Sequence, residues 1–451
     1  MSDLRFDQGT LILEGYSDEP DLPCFFWDDR SRQWRAQALY YDEILIWLKA
    51  KRISFDDRAT KVSNLELKIR MKLQLRSYQK EGVQAWIDHG CRGSICLPTG
   101  SGKTWVALKA MEHVKQSTLV VMPTIDLMNQ WYGIISDAFG IEVGILGGGY
   151  HEVREVTVTT YDSAYIHMDK YGDRFGLLIF DEIHHLPAVT YSHIPEMSLA
   201  PVRLGLTATY ERPDGFHGKL ERLIGPVIYE KTIKELEGDH LAKYETMKIA
   251  IDLTAREKRD YEKNRQFYEN YIRDKGIKFY GSDLTAFLQE SAYDPKARKA
   301  FLARLKSRRI ILCAERKLEV LESILKRHHT DRIIIFTQNN DLVYDISKIF
   351  LIPALTHHTK TVERKWILDN FRKGTYSVLV TSKVLNEGVD VPNANVAVVL
   401  SGSASPVEHL QRLGRILRKS KGKRSVLYEL VTRGTKESQI SYMRRRSDAY
   451  Q

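Results

Sequence analysis

From residue 71 to 235, short apolar runs alternate with stretches whose apolar positions recur every three or four residues. The runs are Ser94–Leu97, Leu119–Met122, Val156–Thr160, Leu177–Phe180 and Leu204–Thr207. Continuous apolar runs of this length, separated by helical patterns, predict parallel strands buried on both faces. The alternation resumes at Ile333–Phe336, Val378–Thr381, Val396–Leu400 and Val426–Leu430. Between the two series, residues 239–310 read as largely helical, with no strand-like run of comparable quality. The first 70 residues are mixed, with an apolar-aromatic cluster at Cys24-Phe25-Phe26-Trp27 and a helical pattern through Ile44-Leu45-Ile46-Trp47-Leu48. The expectation is an α/β chain in four parts: a small mixed N-terminal domain (1–70), a parallel-sheet domain (71–238), a helical insert (239–310) and a second parallel-sheet domain (311–451).

Composition narrows this little. At 451 residues, 43% hydrophobic and 28% charged, the chain has the make-up of a soluble protein of several domains. No apolar run reaches the length of a membrane span. Met1-Ser2-Asp3-Leu4-Arg5 shows no basic stretch leading into an apolar one, so a cytoplasmic location is expected. Cys24, Cys91, Cys96 and Cys313 are scattered without a CxxC pair, which argues against a zinc site or a disulfide framework. The net charge of +10 points to a polyanionic partner, and its distribution sharpens the point. Residues 240–310 hold 17 Lys and Arg against 10 Asp and Glu, interleaved with aromatics such as Tyr261, Phe267, Tyr268 and Tyr271, whereas residues 1–65 hold 9 against 12. Lys258, Arg259, Lys263 and Arg265 are the candidate contacts to a nucleic-acid backbone.

The strongest motif is Leu97-Pro98-Thr99-Gly100-Ser101-Gly102-Lys103-Thr104, set between a strand and a helix. Such a glycine-bearing loop wraps closely and aims successive N–H groups, with the helix N-terminus, at phosphates. Lys103 would neutralise the terminal phosphates of ATP, and Thr104 would offer its hydroxyl to Mg²⁺. Asp181-Glu182 at the end of an apolar run supplies the acidic half: Asp181 to hold Mg²⁺, Glu182 to activate water. His184 is placed to sense the γ-phosphate.

With these motifs the chain resembles the helicases of superfamily two, whose fold is two RecA-like domains with ATP in the cleft between them. Leu75-Arg76-Ser77-Tyr78-Gln79 resembles the adenine-reading element, giving Arg76 and Gln79 as nucleotide contacts. Met122-Pro123-Thr124 and Thr159-Thr160-Tyr161-Asp162-Ser163 resemble segments that touch the nucleic-acid backbone, and Leu206-Thr207-Ala208-Thr209 the element that couples hydrolysis to movement. Thr337 and Thr381 sit at strand ends expected to face the same track, and Gly388 and Asp390 lie in a segment expected near the ribose. Ser405-Pro406-Val407-Glu408 is a capping box with proline at the first helical position. The helix it starts carries Gln411, Arg415 and Arg418 on one face, and two such arginines are what phosphoryl transfer needs.

Asp181-Glu182-Ile183-His184-His185-Leu186-Pro187 and Leu204-Gly205-Leu206-Thr207-Ala208-Thr209-Tyr210-Glu211-Arg212 are similar to the XPB group of repair and transcription helicases, archaeal members above all. That resemblance implies a thumb-like insert gripping double-stranded or forked DNA, a damage-recognition-like N-terminal domain, three-prime to five-prime translocation and a repair nuclease as partner. One departure stands out. Where the family carries an Arg-Glu-Asp wedge, this chain reads Arg212-Pro213-Asp214, losing the central carboxylate and fixing φ. An ATP-gated scaffold that positions a nuclease, with little unwinding of its own, is the competing expectation.

Overall fold

The computed structural model describes residues 2–16, 21–22, 24–210, 215–236, 244–277, 282–382, 394–401 and 425–444. The chain divides into two compact units, the first built from residues 1–236 and the second from most of the chain beyond.

The first unit opens with a five-stranded sheet of Ser2–Asp7 (β1), Thr10–Glu14 (β2), Phe25–Asp28 (β3), Gln33–Gln37 (β4) and Phe55–Asp57 (β5), in the order β3-β4-β2-β1-β5. Its core gathers Leu4, Leu11, Leu13 and Ala36 against Ile44 and Leu48 of the helix Tyr41–Ala50. The chain then leaves this small domain earlier than residue 70. From Lys61 onward it is strapped to the next domain: Lys61 N donates to the Asp173 carbonyl at 2.8 Å, Leu65 N to Lys115 O at 2.7 Å and Arg70 N to Ala138 O at 2.8 Å. Ala59 is the last residue of this stretch in the small core, and beyond it the backbone groups of Lys61, Leu65 and Arg70 find partners on the larger domain instead.

The second sheet holds eight strands: Arg92–Cys96 (β6), Thr118–Met122 (β7), Gly144–Gly147 (β8), Tyr150–Glu152 (β9), Val156–Thr160 (β10), Leu177–Asp181 (β11), Val202–Thr207 (β12) and Val227–Glu230 (β13). Their order is β13-β6-β12-β11-β7-β10-β8-β9. All pairs are parallel except β8 with β9. β7, β10 and β11 are buried along their whole length, which explains why they read as unbroken apolar runs.

In the second unit a six-stranded, wholly parallel sheet has the order β14-β19-β18-β15-β17-β16. The strands are Tyr244–Ile251 (β14), Ile333–Phe336 (β15), Ala354–Leu355 (β16), Val378–Thr381 (β17), Val396–Val399 (β18) and Ser425–Thr432 (β19). Here the expectation of a largely helical insert beginning at residue 239 needs correction at its start. β14 pairs with β19 over eight residues, so the sheet takes its first strand before the helices begin. Its pattern hid it: at the sheet's edge Glu245, Met247 and Lys248 are exposed and only Ile251 is fully buried. The insert proper is the three helices Ala255–Lys275, Ser282–Tyr293 and Pro295–Leu312, with a core of Tyr268, Phe287, Ala297 and Ala300. Tyr261 packs instead into the core of the sheet domain, beside Ile251 and Ile311. No helix among the described residues is long and apolar enough to cross a membrane.

The second unit is pinned by a buried ion pair. Lys317 Nζ donates to both Glu437 carboxylate oxygens, at 2.9 and 2.8 Å, and to the Leu400 carbonyl at 2.8 Å. Glu437 also accepts from Thr432 N at 2.9 Å, so one pair joins a helix start, the end of β18 and the end of β19. Glu437→Ala would strand the Lys317 charge and is expected to destabilise this unit by about 3–5 kcal/mol in chemical denaturation. Lys317→Met combined with Glu437→Leu should recover most of that loss, since the apolar pair leaves no uncompensated charge.

Candidate functional site

The phosphate loop lies where the sequence places it, between β6 and the helix Lys103–Val114. Gly100 and Gly102 both take the left-handed conformation, each at φ 84°. Gly102 is required on space as well, because an added Cβ would fall 2.6 Å from Gln79 Nε2 and 2.8 Å from Trp105 Cδ1. Leu97 and Pro98 are buried, and Leu97 N donates to Thr207 O at 2.9 Å, tying the loop to the end of β12. Lys103 opens the helix and its ammonium donates to the Leu97 carbonyl at 3.2 Å. Thr104 follows it, half-buried.

Arg76 and Gln79 sit beside this loop. Gln79 accepts from Arg76 N at 2.9 Å and donates to Ser101 O at 2.7 Å, while Tyr78 OH donates to the same carbonyl at 2.7 Å. The Gln79 amide holds the loop in shape and also lines the space beside it. A cavity of about 250 Å³ adjoins it, lined by Leu73, Arg76, Gly100, Gly102 and Trp105 among others. That indole and guanidinium give the cavity the faces a planar heterocycle needs.

Asp181 and Glu182 end β11. Asp181 is buried, with one carboxylate oxygen accepting from Trp131 Nε1 at 2.9 Å and the other from Glu182 N at 3.0 Å. Burial pushes its pKa up, the Glu182 carboxylate adds to that, and the Lys103 ammonium opposes it. Glu182 adopts a left-handed backbone at φ 50°, a strain of roughly 1–3 kcal/mol of the kind that collects at functional sites. Its Oε2 is buried without a hydrogen-bond partner among the described residues, as are the hydroxyls of Thr99, Ser101 and Thr209. His184 Nδ1 lies 3.5 Å from that carboxylate oxygen and 3.2 Å from Thr207 Oγ1. Thr207 gives its own proton to Thr209 O at 2.8 Å, which leaves His184 Nδ1 as the donor between them. A continuous path thus runs from the acidic pair through His184 to the Thr207–Thr209 turn.

The nucleic-acid candidates divide. Thr160 ends β10, Thr124 lies two residues past the end of the adjacent β7, and both cap helices, Thr124 accepting from Leu127 N at 3.3 Å and Thr160 from Ser163 N at 3.2 Å. Their helix N-termini stand side by side, a setting for phosphate. Thr337 and Thr381 do not fit the role assigned to them. Both are fully buried, with Thr337 Oγ1 held 3.0 Å from Ser401 Oγ and Thr381 Oγ1 donating to Ser382 O at 3.3 Å. Side chains alternate across a strand, and these two face the interior. In the insert, Lys258, Arg259 and Lys263 are exposed, but Arg265 is paired with Glu269 at 2.8 Å and lies over the Tyr261 ring. Arg212, Gly388, Asp390, Gln411, Arg415 and Arg418 lie outside the described residues.

One positive surface escaped the sequence reading. The helix Ala255–Lys275 carries seven basic and five acidic residues, whereas Pro295–Leu312 carries seven basic and none acidic. Lys296, Arg298, Lys299, Lys306, Arg308 and Arg309 are all exposed along it. The charge count over 240–310 averaged the two helices together; counting acids helix by helix would have separated them.

Three family models match. The model for type III restriction enzyme res subunits covers residues 72–212, that for the helicase conserved C-terminal domain covers 316–420, and that for the xeroderma pigmentosum group B helicase damage recognition domain covers 4–59. The chain is 41% identical to the DNA 3'-5' translocase XPB2 of Sulfurisphaera tokodaii, over 98% of this chain and 99% of that one. The chain belongs to the XPB helicase family. A more distant XPB relative is the general transcription and DNA repair factor IIH helicase/translocase subunit of Saccharomyces cerevisiae, 26% identical over 84% of this chain but only 44% of its own length. The crystal structure of the Pyrococcus furiosus Hef helicase domain shares the fold, with a TM-score of 0.51 at 18% identity, covering 82% of this chain and 98% of that one. The damage-recognition model stops at residue 59, where the small XPB domain's core also stops.

Two substitutions separate the roles at this site. Lys103→Ala should abolish ATP hydrolysis while DNA affinity stays within a few-fold; normal turnover would remove Lys103 from the site. Glu182→Gln should bind ATP as the parent does yet fail to turn it over, which equilibrium binding of labelled ATP and a phosphate-release assay check together.

Proposed function

We propose that this chain is a DNA-dependent ATPase that translocates three-prime to five-prime and opens or remodels duplex DNA in excision repair and transcription. One observation carries the reading: the phosphate loop, the acidic pair, His184 and the Thr207 turn form one connected set at the tips of three neighbouring strands. The unpartnered Glu182 oxygen and the hydroxyls of Thr99 and Ser101 fit Mg²⁺-ATP: the hydroxyls would donate to phosphate oxygens, and the ion, when bound, would polarise the phosphate. Lys103 neutralises, Thr104 and Asp181 hold the ion, and Glu182 orients and deprotonates the attacking water. His184 then reports the state of the phosphate to Thr207. Arg415 and Arg418 are assigned to stabilise charge on the transferred group, and Gly388 and Asp390 to the ribose.

The direction, repair and transcription come from the names of the relatives, and DNA is favoured over RNA on the same ground. The scaffold reading, in which the chain positions a nuclease and unwinds little, has no support in the comparisons; the complete hydrolytic set favours a motor. ATPase rates measured with duplex, forked and single-stranded DNA and with RNA test the proposal, and stimulation by RNA alone would overturn it.

Charge reversal locates the grip. Phosphate contacts release about 0.9 counterion each, so losing them flattens the salt dependence of binding. Lys296, Arg298 and Lys299 changed together to Glu should flatten that slope more than the same change at Lys258, Arg259 and Lys263, because the helix Pro295–Leu312 carries no acids to offset its charge. Basal ATPase should hold in both variants, and DNA-stimulated ATPase should fall further in the first. Separately, Arg415→Ala or Arg418→Ala should cut turnover by about 10³-fold or more with ATP affinity little changed.

A further inference from the structure

The second unit contains an open groove of about 960 Å³, within the size range of small-molecule sites, roughly 300–1,000 Å³. One wall is the last two turns of the helix Pro295–Leu312, contributing Leu305, Lys306 and Arg309; the other is the loop that leaves β15, contributing Gln338, Asn339 and Asn340. Arg308 is already fixed across the end of the groove, donating to Gln338 Oε1 at 3.0 Å.

A groove meant for phosphate alone needs cations and N–H donors, and this one has more. Leu305 is 46% exposed at its wall, flanked by charges, with Leu312 behind it. Across from that apolar ledge stand three carboxamides, only part of whose capacity is used. Asn339 Oδ1 accepts from Asp341 N at 2.8 Å, and Asn340 Nδ2 lies 3.0 Å from His357 Nδ1. Gln338 Nε2, Asn339 Nδ2 and Asn340 Oδ1 have no further partner among the described residues. Those atoms are two donors and an acceptor, the groups that meet the edge of a nucleobase. Asp341, the lining's one carboxylate, would repel a phosphate at that end and can accept from a base N–H.

We infer that this groove takes a nucleotide of the bound strand turned out of its stack, with the base on the Leu305 ledge against the carboxamides and its phosphate on Lys306 and Arg309. This rests on the DNA reading above and goes beyond it, because a backbone grip is indifferent to whether a base is present. The motor would then hold the strand by a base as well as by its charge.

The test is binding of the full chain to a labelled oligothymidylate of roughly 12 nucleotides and to an abasic strand of the same length and charge. The unaltered chain should prefer the base-bearing strand by about five- to tenfold, the scale of contacts to one or two unstacked bases. Leu305→Ser and Asn340→Ala should each remove most of that preference while leaving abasic affinity as it was. Lys306→Glu should weaken both strands by the same factor. Equal binding of the two strands by the unaltered chain, or a preference that survives both Leu305→Ser and Asn340→Ala, would overturn the inference and leave the backbone grip standing. Binding to neither strand would overturn this inference, and the DNA reading falls with it only if duplex and forked DNA are not bound either. Thermal midpoints equal to the parent's confirm that each variant is folded.

Discussion

A parallel strand buried on both faces can place polar chemistry only at its tips, and that constraint organises both sheets. β6, β11 and β12 run side by side in one direction, so the loops after Cys96, Asp181 and Thr207 leave from one edge. The phosphate loop, the acidic pair and the Thr207 turn therefore meet without any residue reaching across the domain. β7 and β10, next along the same sheet, deliver Thr124 and Thr160 to that edge too. Nucleotide chemistry and backbone contact lie together because the topology leaves them nowhere else to go.

Within that edge the least comfortable group is Asp181. A buried carboxylate is unfavourable unless its charge is answered, and here an indole N–H and one backbone amide answer only part of it. The Lys103 ammonium supplies some of the rest, and a bound divalent ion would supply more. Glu182 is strained next door, its free oxygen close to a histidine that donates to Thr207. A site arranged so that ligand relieves an electrostatic debt and is felt at once by a hydrogen-bonded turn has the physical parts of a switch. Three side chains, Glu182, His184 and Thr207, connect the acidic pair to the segment after β12.

Much of this was legible in the chain. Apolar runs marked β7, β10, β11, β15 and β18 because their burial is two-sided, and the loop and acidic pair announced themselves by spacing against those runs. What stayed hidden had a common cause: half-exposed elements carry no strong pattern. β14 reads as nothing because an edge strand needs few apolar positions. Thr337 and Thr381 looked like contacts because they end strands, but which way a side chain faces at a strand end depends on register that sequence does not reveal. The basic helix Pro295–Leu312 was blurred by counting charge over seventy positions when charge acts over one helix face. The residues of the Arg415 and Arg418 segment lie outside the described structure, so their roles rest on sequence alone.

The small N-terminal domain is a separate sheet but not a separate body from the first motor domain. Leu199 lies in its core, Leu39 lies in the core of the motor sheet, and a Cβ on Gly9 would fall 2.7 Å from Met197 Cγ. The contact is made at the start of β12, where buried Arg203 donates to the carbonyls of Ala200, Pro195, Ser198 and Leu223. Arg222 bonds Tyr40 and Glu196 beside it. β12 runs from this contact directly to Thr207, five residues in a fully hydrogen-bonded strand. The small domain's contact and the Thr207 turn therefore lie at opposite ends of one strand.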